Sequence, residues 1–173
     1  MRLLITFSAF LLSAALYGQN NYSMSFDGDD IQISSEMLDN LNAFTISTYF
    51  YTSESQDELY SNIFKTIEYN EGSQIDNEQL TIRYWSHGNK FEFIVKINSS
   101  IVTIDNTQYD FPNPSTNEWH CAAITYDGLA VTAYIDGNIV AVAPMTGYLL
   151  SSHNNPIYIG NAPPEPNNIF GYN

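Results

Sequence analysis

Three aspartates in one short turn are the residues best placed to bind a metal ion. Asp27, Asp29 and Asp30 surround Gly28. Calcium takes about six to eight oxygen ligands, and a glycine-containing turn can point carboxylates and carbonyls inward together. These three aspartates are therefore a candidate calcium site, and the alternative is an acidic hairpin turn that binds no metal. The spacing lacks the distant glutamate of an EF-hand loop, which excludes that class of calcium site.

One pair of carboxylates has the spacing of a glycoside hydrolase site. Asp76 and Glu78 are two residues apart, and carboxylates on alternate residues of one strand can flank a glycosidic bond at about 5–5.5 Å. The pair precedes the strand predicted to begin at Leu80, in a polar loop, which disfavours catalysis. The histidines occur in a turn, a strand and a loop, without the context of a zinc protease or a nucleophile elbow: His87, His120 and His153.

The elements that must position these residues are short strands. Apolar and polar residues alternate with a period of two in runs separated by turn residues, and no amphipathic helix of useful length follows the first residues. In the run from Phe44 to Tyr51, Phe44 and Phe50 share one face and Tyr49 and Tyr51 share the other. About ten such runs predict an all-β fold of two packed antiparallel sheets. One helical turn is predicted near Leu38.

Two Asp-Gly pairs mark tight hairpin turns between later strands. Asp127-Gly128 and Asp136-Gly137 tolerate the positive φ angles that such turns demand. Trp119 begins the strand before the first of these turns, and we expect its ring to be buried as an anchor between the sheets. Cys121 shares the face of Trp119, so we expect a buried and unreactive thiol. It is the only cysteine, and an intrachain disulfide is therefore excluded.

Aromatic residues are abundant, with 13 Tyr and 10 Phe. Exposed rings stack well against the apolar faces of sugars. Those that point away from the core could form a platform for a glycan, and the alternative is that they pack in the core or under loops. The strand residues considered for this platform are Tyr49, Tyr51, Tyr84, Trp85 and Tyr134.

The first 18 residues have the composition of an export signal. Arg2 is followed by an apolar run from Leu3 to Leu16, and small residues precede a polar stretch that begins at Gln19. The run is shorter than the roughly 20 apolar residues of a membrane-spanning helix. We therefore predict that residues 1–18 are a cleaved signal peptide and that residues 19–173 form one secreted or cell-surface domain without a membrane span.

The charge of the chain limits its partners. The formal net charge is −14, and it becomes −15 when the leader with Arg2 is removed. The charge argues against nucleic acids and anionic membranes, because both require clusters of Lys and Arg. Calcium and neutral or basic ligands remain compatible with this charge. The alternative is that the acidity serves only solubility.

Five segments, in order, resemble the laminin-G-like family of concanavalin A-like jelly-roll domains, which includes lectins and glucanases. They are Tyr22–Asp30, Phe44–Tyr51, Ile63–Lys65, Trp119–Gly137 and Ile157–Asn161. The resemblance implies a jelly-roll sandwich, and family members often hold a calcium ion between the first turn and the last strand. It also implies a final strand after Tyr172 that this chain does not contain. The domain is thus expected to be C-terminally incomplete, which would leave the candidate calcium site incomplete as well.

Three functions are compatible with these observations. The first is a secreted, non-catalytic recognition module that binds a glycan or an extracellular protein at its loop end, with calcium as a candidate cofactor. The second is a structural or adhesive domain of a longer exported protein that has no small ligand. The third is a glycoside hydrolase that uses Asp76 and Glu78, which the sequence favours least.

Overall fold

The part of the chain that the structure describes contains ten strands. The computed structural model describes residues 30–51, 60–68, 77–85, 89–149 and 156–160. The strands are β1 (Asp30–Ile33), β2 (Phe44–Tyr51), β3 (Tyr60–Glu68), β4 (Asn77–Trp85), β5 (Lys90–Ile97), β6 (Ser100–Asp105), β7 (Trp119–Tyr126), β8 (Ala130–Ile135), β9 (Asn138–Pro144) and β10 (Ile157–Gly160). A single 3₁₀ turn at Ser35–Leu38 confirms the predicted helical turn.

The strands form two antiparallel sheets. One has six strands in the order β1-β10-β3-β4-β5-β6, and the other has four in the order β2-β7-β8-β9. This arrangement confirms the predicted two-sheet jelly-roll sandwich. Within the described ranges, no helix is long and apolar enough to cross a bilayer. The predicted leader (1–18), the predicted first strand (22–26) and the chain end (161–173) lie outside the described residues.

The core lies between the two sheets, and β5 contributes two of its largest side chains. Phe91 and Phe93 are fully buried, with ring centroids 5.2 Å apart in an edge-to-face contact. Phe50 reaches them from the four-stranded sheet and stacks on Phe91, also at 5.2 Å. Such aromatic pairs contribute about 0.5–1.5 kcal/mol beyond the apolar area that they bury. The pair of Phe50 and Phe91 is therefore a direct contact between the two sheets.

The alternation predicted for β2 is confirmed. Phe44 and Phe50 are buried, whereas Tyr49 and Tyr51 are exposed. Successive side chains of a strand point to opposite sides of the sheet, so the phenylalanines face the core when the tyrosines face solvent. The sequence of β2 thereby fixes which of its rings are available to a ligand.

The hairpin turns predicted at the two Asp-Gly pairs are confirmed. Gly128 has a φ of +91° between β7 and β8, and Asp136 and Gly137 have φ angles of +51° and +77° between β8 and β9. The Asp127 Oδ1 atom accepts backbone N–H bonds from Leu129 and Ala130, each 2.9 Å long. These bonds lower the pKa of Asp127 and fix the first turn.

Alanine at either turn glycine is expected to destabilise the fold, and Gly128→Ala should do so more strongly. A residue with a Cβ atom in this conformation costs about 1–2 kcal/mol. At Gly128 the new Cβ would also lie 3.3 Å from the Asn42 carbonyl oxygen, whereas at Gly137 it would meet no atom within 4 Å. Urea unfolding of both variants measures the difference in the free energy of unfolding. Equal losses would show that the Asn42 carbonyl moves aside.

Candidate functional site

The ring of Trp119 lies on the outside of the four-stranded sheet, so the expectation that it anchors the core is wrong. The residue is 56% exposed. Cys121 shares the outward face and is only partly buried, so the expectation of a buried thiol is also wrong. Both alternating sets of β7 side chains are largely apolar, and sheet packing buries the other set: His120, Ala122, Ile124 and Tyr126.

Three exposed rings lie on the outer face of this sheet. The aromatic face, as we call it, consists of Tyr49, Tyr51 and Trp119, which are 76%, 48% and 56% exposed. The rings of Tyr51 and Trp119 have centroids 5.7 Å apart and an interplanar angle of 52°. Large exposed apolar surfaces are characteristic of binding sites.

The strand register explains why these rings meet. In the antiparallel pairing of β2 with β7, Tyr51 lies opposite Trp119 and Tyr49 lies opposite Cys121. Directly opposite side chains in such a pair have Cβ atoms about 4.5–5.5 Å apart. The Tyr51 hydroxyl also donates a hydrogen bond to the Asn117 Oδ1 atom at 3.4 Å, which ties the ring to the loop before β7.

Beneath the aromatic face, the buried side chain of His120 joins three parts of the chain. Its Nδ1 atom lies 2.8 Å from the Asp136 Oδ2 atom in the β8–β9 turn. Its Nε2 atom lies 3.1 Å from the Ser115 Oγ atom and 3.0 Å from the Ser115 carbonyl oxygen. Its ring packs against Phe50, with centroids 5.7 Å apart. The His120 bridge therefore holds the loop next to the aromatic face, and sequence analysis did not assign it this role.

Asp136, in the β8–β9 turn, binds both His120 and the backbone of Cys121. Its Oδ1 atom accepts the backbone N–H of Cys121 at 2.8 Å, and its own backbone N–H donates to the Cys121 carbonyl at 2.8 Å. The bond from Cys121, followed by the bond with His120, lowers the pKa of the Asp136 carboxyl, while partial burial opposes this shift. The ionised carboxylate is therefore the form that the folded state favours.

Asp136→Asn is expected to lower stability at neutral pH and to have less effect in acid. Because the folded-state pKa is below the ordinary value of 3.8, the stabilisation is present above that pH and is lost as the pH falls through the folded-state value. We expect a loss of about 1 kcal/mol at pH 7, the size of one charge-assisted bond at a partly exposed group. Urea unfolding at pH 7 and pH 2 tests this, and an equal loss at both values would contradict it.

The candidate calcium residues are only partly placed by the structure. Asp30 is the first residue of β1 and pairs with Gly160 of β10, so it lies in a strand rather than in the predicted turn. Its Oδ2 atom is buried and has no hydrogen-bond partner within the described ranges, which leaves one carboxylate oxygen suited to a cation. Asp27 and Asp29 lie outside the described residues. Among the residues that are described, no three acidic, histidine or cysteine side chains are grouped as metal ligands.

Only one of the two carboxylates considered for glycoside hydrolysis lies within the described residues. Asp76 lies outside the described residues, whereas Glu78 belongs to β4, which begins at Asn77. The expectation that Glu78 lies in a loop is therefore wrong. β4 begins before its apolar residues because its first residues pair with β3, where Glu78 lies opposite Ile67.

The structure separates the aromatic residues that were considered for a platform. It places Tyr49 and Tyr51 together on the aromatic face, as their alternation with the phenylalanines indicated. Tyr134 is half-buried on β8, and Tyr84 packs against the core from the other sheet. Trp119 was missed as a surface residue. Tyr49 and Tyr51 mark the outer side of β2, but only the pairing with β7 shows that Trp119 joins them.

Comparisons with known proteins agree with the sandwich. A family profile described as the concanavalin A-like lectin/glucanases superfamily, Laminin_G_3, matches residues 25–171. The comparison with curated proteins found no match. Among solved structures, domain 4 of the arabinanase AbnA from Geobacillus stearothermophilus, in complex with arabinotriose, has a TM-score of 0.52 and 16% identity. That alignment covers 78% of this chain and 59% of the AbnA chain.

Two further solved structures are similar at lower scores. The carbohydrate-binding module CBM66 from Bacillus subtilis has a TM-score of 0.46 and 13% identity, over 80% of this chain and 78% of that one. Domains LG4-5 of the mouse laminin α1 chain have a TM-score of 0.45 and 14% identity, over 79% of this chain and 30% of that one. The family profile covers most of the chain. The protein belongs to the laminin-G-like family of the concanavalin A-like lectin/glucanases superfamily.

Proposed function

We propose that the protein is an exported, non-catalytic recognition module that binds a glycan on the aromatic face. The observation that carries this proposal is the exposed ring pair of Tyr51 and Trp119, with Tyr49 beside it. Aromatic rings that remain in water on a rigid sheet lose little conformational entropy when a ligand covers them. A pyranose or furanose ring presents the matching apolar surface.

The surroundings of the rings supply polar contacts. Asn117 and Glu118 are exposed in the loop before β7, and the first of these already holds the Tyr51 hydroxyl. Carbonyl and carboxylate oxygens of this kind accept hydrogen bonds from sugar hydroxyls. Since the His120 bridge fixes the loop, these acceptors stay in place next to the rings. Stacking would supply affinity, and the loop would select among sugars. The family description, which names lectins, supports the same class of ligand.

A protein partner is the second candidate, and one observation favours it. Ile139 and Val142 on β9 are 62% and 52% exposed, and they lie on the same sheet as the aromatic face. An apolar surface that extends across the sheet suits a protein interface better than a short sugar chain. This candidate corresponds to an adhesive or structural domain without a small ligand.

A glycan array separates the two candidates. Labelled protein comprising residues 19–173 is applied with and without a chelator, and hits are followed by NMR of the two indole N–H groups, Trp85 and Trp119. We expect binding of a defined glycan and a shift of the Trp119 indole signal. Two results together would favour the second candidate. The first is an array without binding, and the second is capture of an extracellular protein that is lost in the variant Ile139→Asp. Release of reducing sugar ends would show that the protein is an enzyme.

We further propose that export removes residues 1–18 and that calcium supports the strand that begins at Asp30. The first proposal follows from the apolar leader and is tested by mass spectrometry of the secreted protein. The second rests on the partnerless Asp30 Oδ2 atom and on the acidic residues before it. Added calcium should raise the melting temperature of the wild type and not that of Asp30→Asn. Equal shifts in both proteins would place calcium elsewhere.

A further inference from the structure

The outward side of the four-stranded sheet extends well beyond the aromatic face. Side chains of a strand alternate between faces, so the outward residues are every second one from Thr45 to Tyr51 in β2, from Trp119 to Thr125 in β7 and from Ala130 to Tyr134 in β8. None of these residues is buried. None is charged either, although the chain contains 19 acidic and 5 basic residues. We call this surface the uncharged face.

The charges around the uncharged face are unfavourable for an ionic ligand. Glu118 precedes Trp119 at one end, and Asp127 follows β7 at the other. The basic residues other than Arg2 lie on the other sheet, in β3, β4 and β5. An anionic ligand would be repelled by the acidic protein without meeting a cation on this surface, and a cationic ligand would meet no carboxylate within it. The uncharged face therefore favours a ligand without charge.

The pairing of β2 with β7 arranges the uncharged face in rows that follow one another along the strands. The first row holds Tyr51 and Trp119, and the last holds Thr45 and Thr125, which also pairs with Thr132 of β8. Each residue of an antiparallel strand rises about 3.4 Å, so the first and last rows are roughly 20 Å apart. This surface is therefore long enough to contact more than one sugar ring.

Aromatic rings and hydroxyl groups both occur between the first and last rows. Tyr49 is exposed in the second row, and Tyr134 lies in the third, opposite Ala123. Thr45 and Ser47 are exposed, and each carries a hydroxyl. The rings can stack on the apolar faces of successive sugars, and the hydroxyls can donate to and accept from sugar hydroxyls. The uncharged face therefore offers matching groups to a chain of sugars and not only to the ring at its end.

The small residues at the centre of the uncharged face argue against a protein partner. Ser47 and Ala123 pair there, and Thr125 pairs with Thr132 beside them. Serine and alanine are depleted in protein interfaces, and threonine is under-represented among the residues that contribute most binding energy. The exposed apolar side chains of β9 lie at the edge of this surface, where Val142 pairs with Thr132. A sugar chain therefore matches the whole surface better than a protein does.

We infer that the uncharged face binds an internal stretch of a neutral polysaccharide, which lies along β2 and β7 from Trp119 to the threonine row. This inference rests on the proposed glycan site at the aromatic face and names its substrate class. Trp119 and Tyr51 stack on one sugar ring and Tyr49 stacks on another, while the hydroxyls of Thr45 and Thr125 bond the far end of the chain. A terminal sugar would use only the first row, and an acidic polysaccharide would be repelled.

Chain length and charge test this inference directly. The probes are cellohexaose and mannohexaose, the corresponding disaccharides, and both hexasaccharides with their primary alcohols oxidised to carboxylates. We expect at least one neutral hexasaccharide to bind at least tenfold more tightly than its disaccharide and than its oxidised form. Rising salt should leave the affinity for the neutral chain unchanged. The indole N–H signal of Trp119, distinguished from that of Trp85 with Trp85→Phe, reports contact at the aromatic face.

Variants at the last row locate the far end of the chain. Thr45→Val/Thr125→Val removes two hydroxyls and keeps the shape and the strand preference of the side chains. It should reduce the preference for the hexasaccharide over the disaccharide at least fivefold. Thr103→Val makes the same change on β6 of the other sheet and should keep the preference of the wild type. Urea unfolding checks that both variants remain folded.

The outcomes separate this inference from the proposed function. Absence of binding by both neutral hexasaccharides, an affinity that does not depend on chain length, equal binding of the oxidised chain, or an unchanged preference in Thr45→Val/Thr125→Val would each overturn the inference. The proposed function would survive any of these results if another glycan of the array shifts the Trp119 signal, and the rest of the uncharged face would then be left to a protein partner. If no glycan shifts that signal, the proposed function fails and the inference fails with it.

Discussion

Trp119→Ala is expected to weaken glycan binding by about fivefold or more and to leave the fold nearly as stable as the wild type. Stacking on one aromatic ring contributes about 1–3 kcal/mol, as measured for nucleic-acid bases, and a loss of that size weakens an affinity by about fivefold to more than a hundredfold. Because the residue is 56% exposed and its ring lies against that of Tyr51 on the outer side of the sheet, the free energy of unfolding should fall by about 1 kcal/mol or less. Titration of the array ligand and urea unfolding measure the two effects.

A matched variant distinguishes loss of the aromatic face from loss of any exposed ring. Tyr148 is 42% exposed and lies outside the aromatic face, in the segment that bonds Asn98. Tyr148→Ala should bind the ligand as the wild type does. Trp119→Phe, which keeps a ring at the site, should retain part of the affinity. If Trp119→Ala instead destabilises the protein by about 3–5 kcal/mol, the cost of truncating a buried aromatic residue, the ring lies inside the protein and the proposed site is wrong.

Phe91→Ala should produce the largest loss of stability among single substitutions of the described core. The side chain is fully buried and contacts both Phe50 and Phe93, with centroids 5.2 Å away in each case. Truncation removes the ring contact with Phe50 across the two sheets and leaves a cavity, which costs about 3–5 kcal/mol. For a domain of this size, that corresponds to a fall of roughly 6–20 °C in melting temperature.

Phe91→Leu serves as the control, because leucine refills most of the volume and should cost about half as much or less. Thermal and urea unfolding, followed by circular dichroism, give both values. Glycan binding by folded Phe91→Ala should remain close to that of the wild type at low temperature, since the aromatic face lies on the opposite side of β2. A loss below 1 kcal/mol for Phe91→Ala would mean that the contact between Phe50 and Phe91 does not hold the two sheets together.

Several features of the fold followed from local patterns. The run from Phe44 to Tyr51 predicted both a strand and its buried side, because apolar and polar rings alternate without ambiguity. The Asp127-Gly128 and Asp136-Gly137 pairs predicted turns, because few residues other than glycine, aspartate and asparagine accept a positive φ. Such signals depend on neighbours within a few residues and need no knowledge of the partner strand.

The orientation of β7 could not be obtained in the same way. Trp119, Cys121 and Ala123 form one alternating set, and the other set begins with His120, so hydrophobicity favoured burial of the tryptophan side. The structure buries His120 because Asp136 and Ser115 satisfy both nitrogens of its ring. These partners lie 16 and 5 residues away in sequence. A buried polar side chain of this kind is recognised only when its hydrogen-bond partners are known.

The sequence by itself determined the strands, their turns, the sandwich and the tyrosine side of β2, because these depend on alternation and on backbone preferences that each segment carries alone. Only the tertiary structure decided that Trp119 faces solvent beside Tyr51 and that His120 is buried beneath them. Both results depend on register between strands that are distant in the chain. A shift of one residue in that register would move every side chain of a strand to the other face.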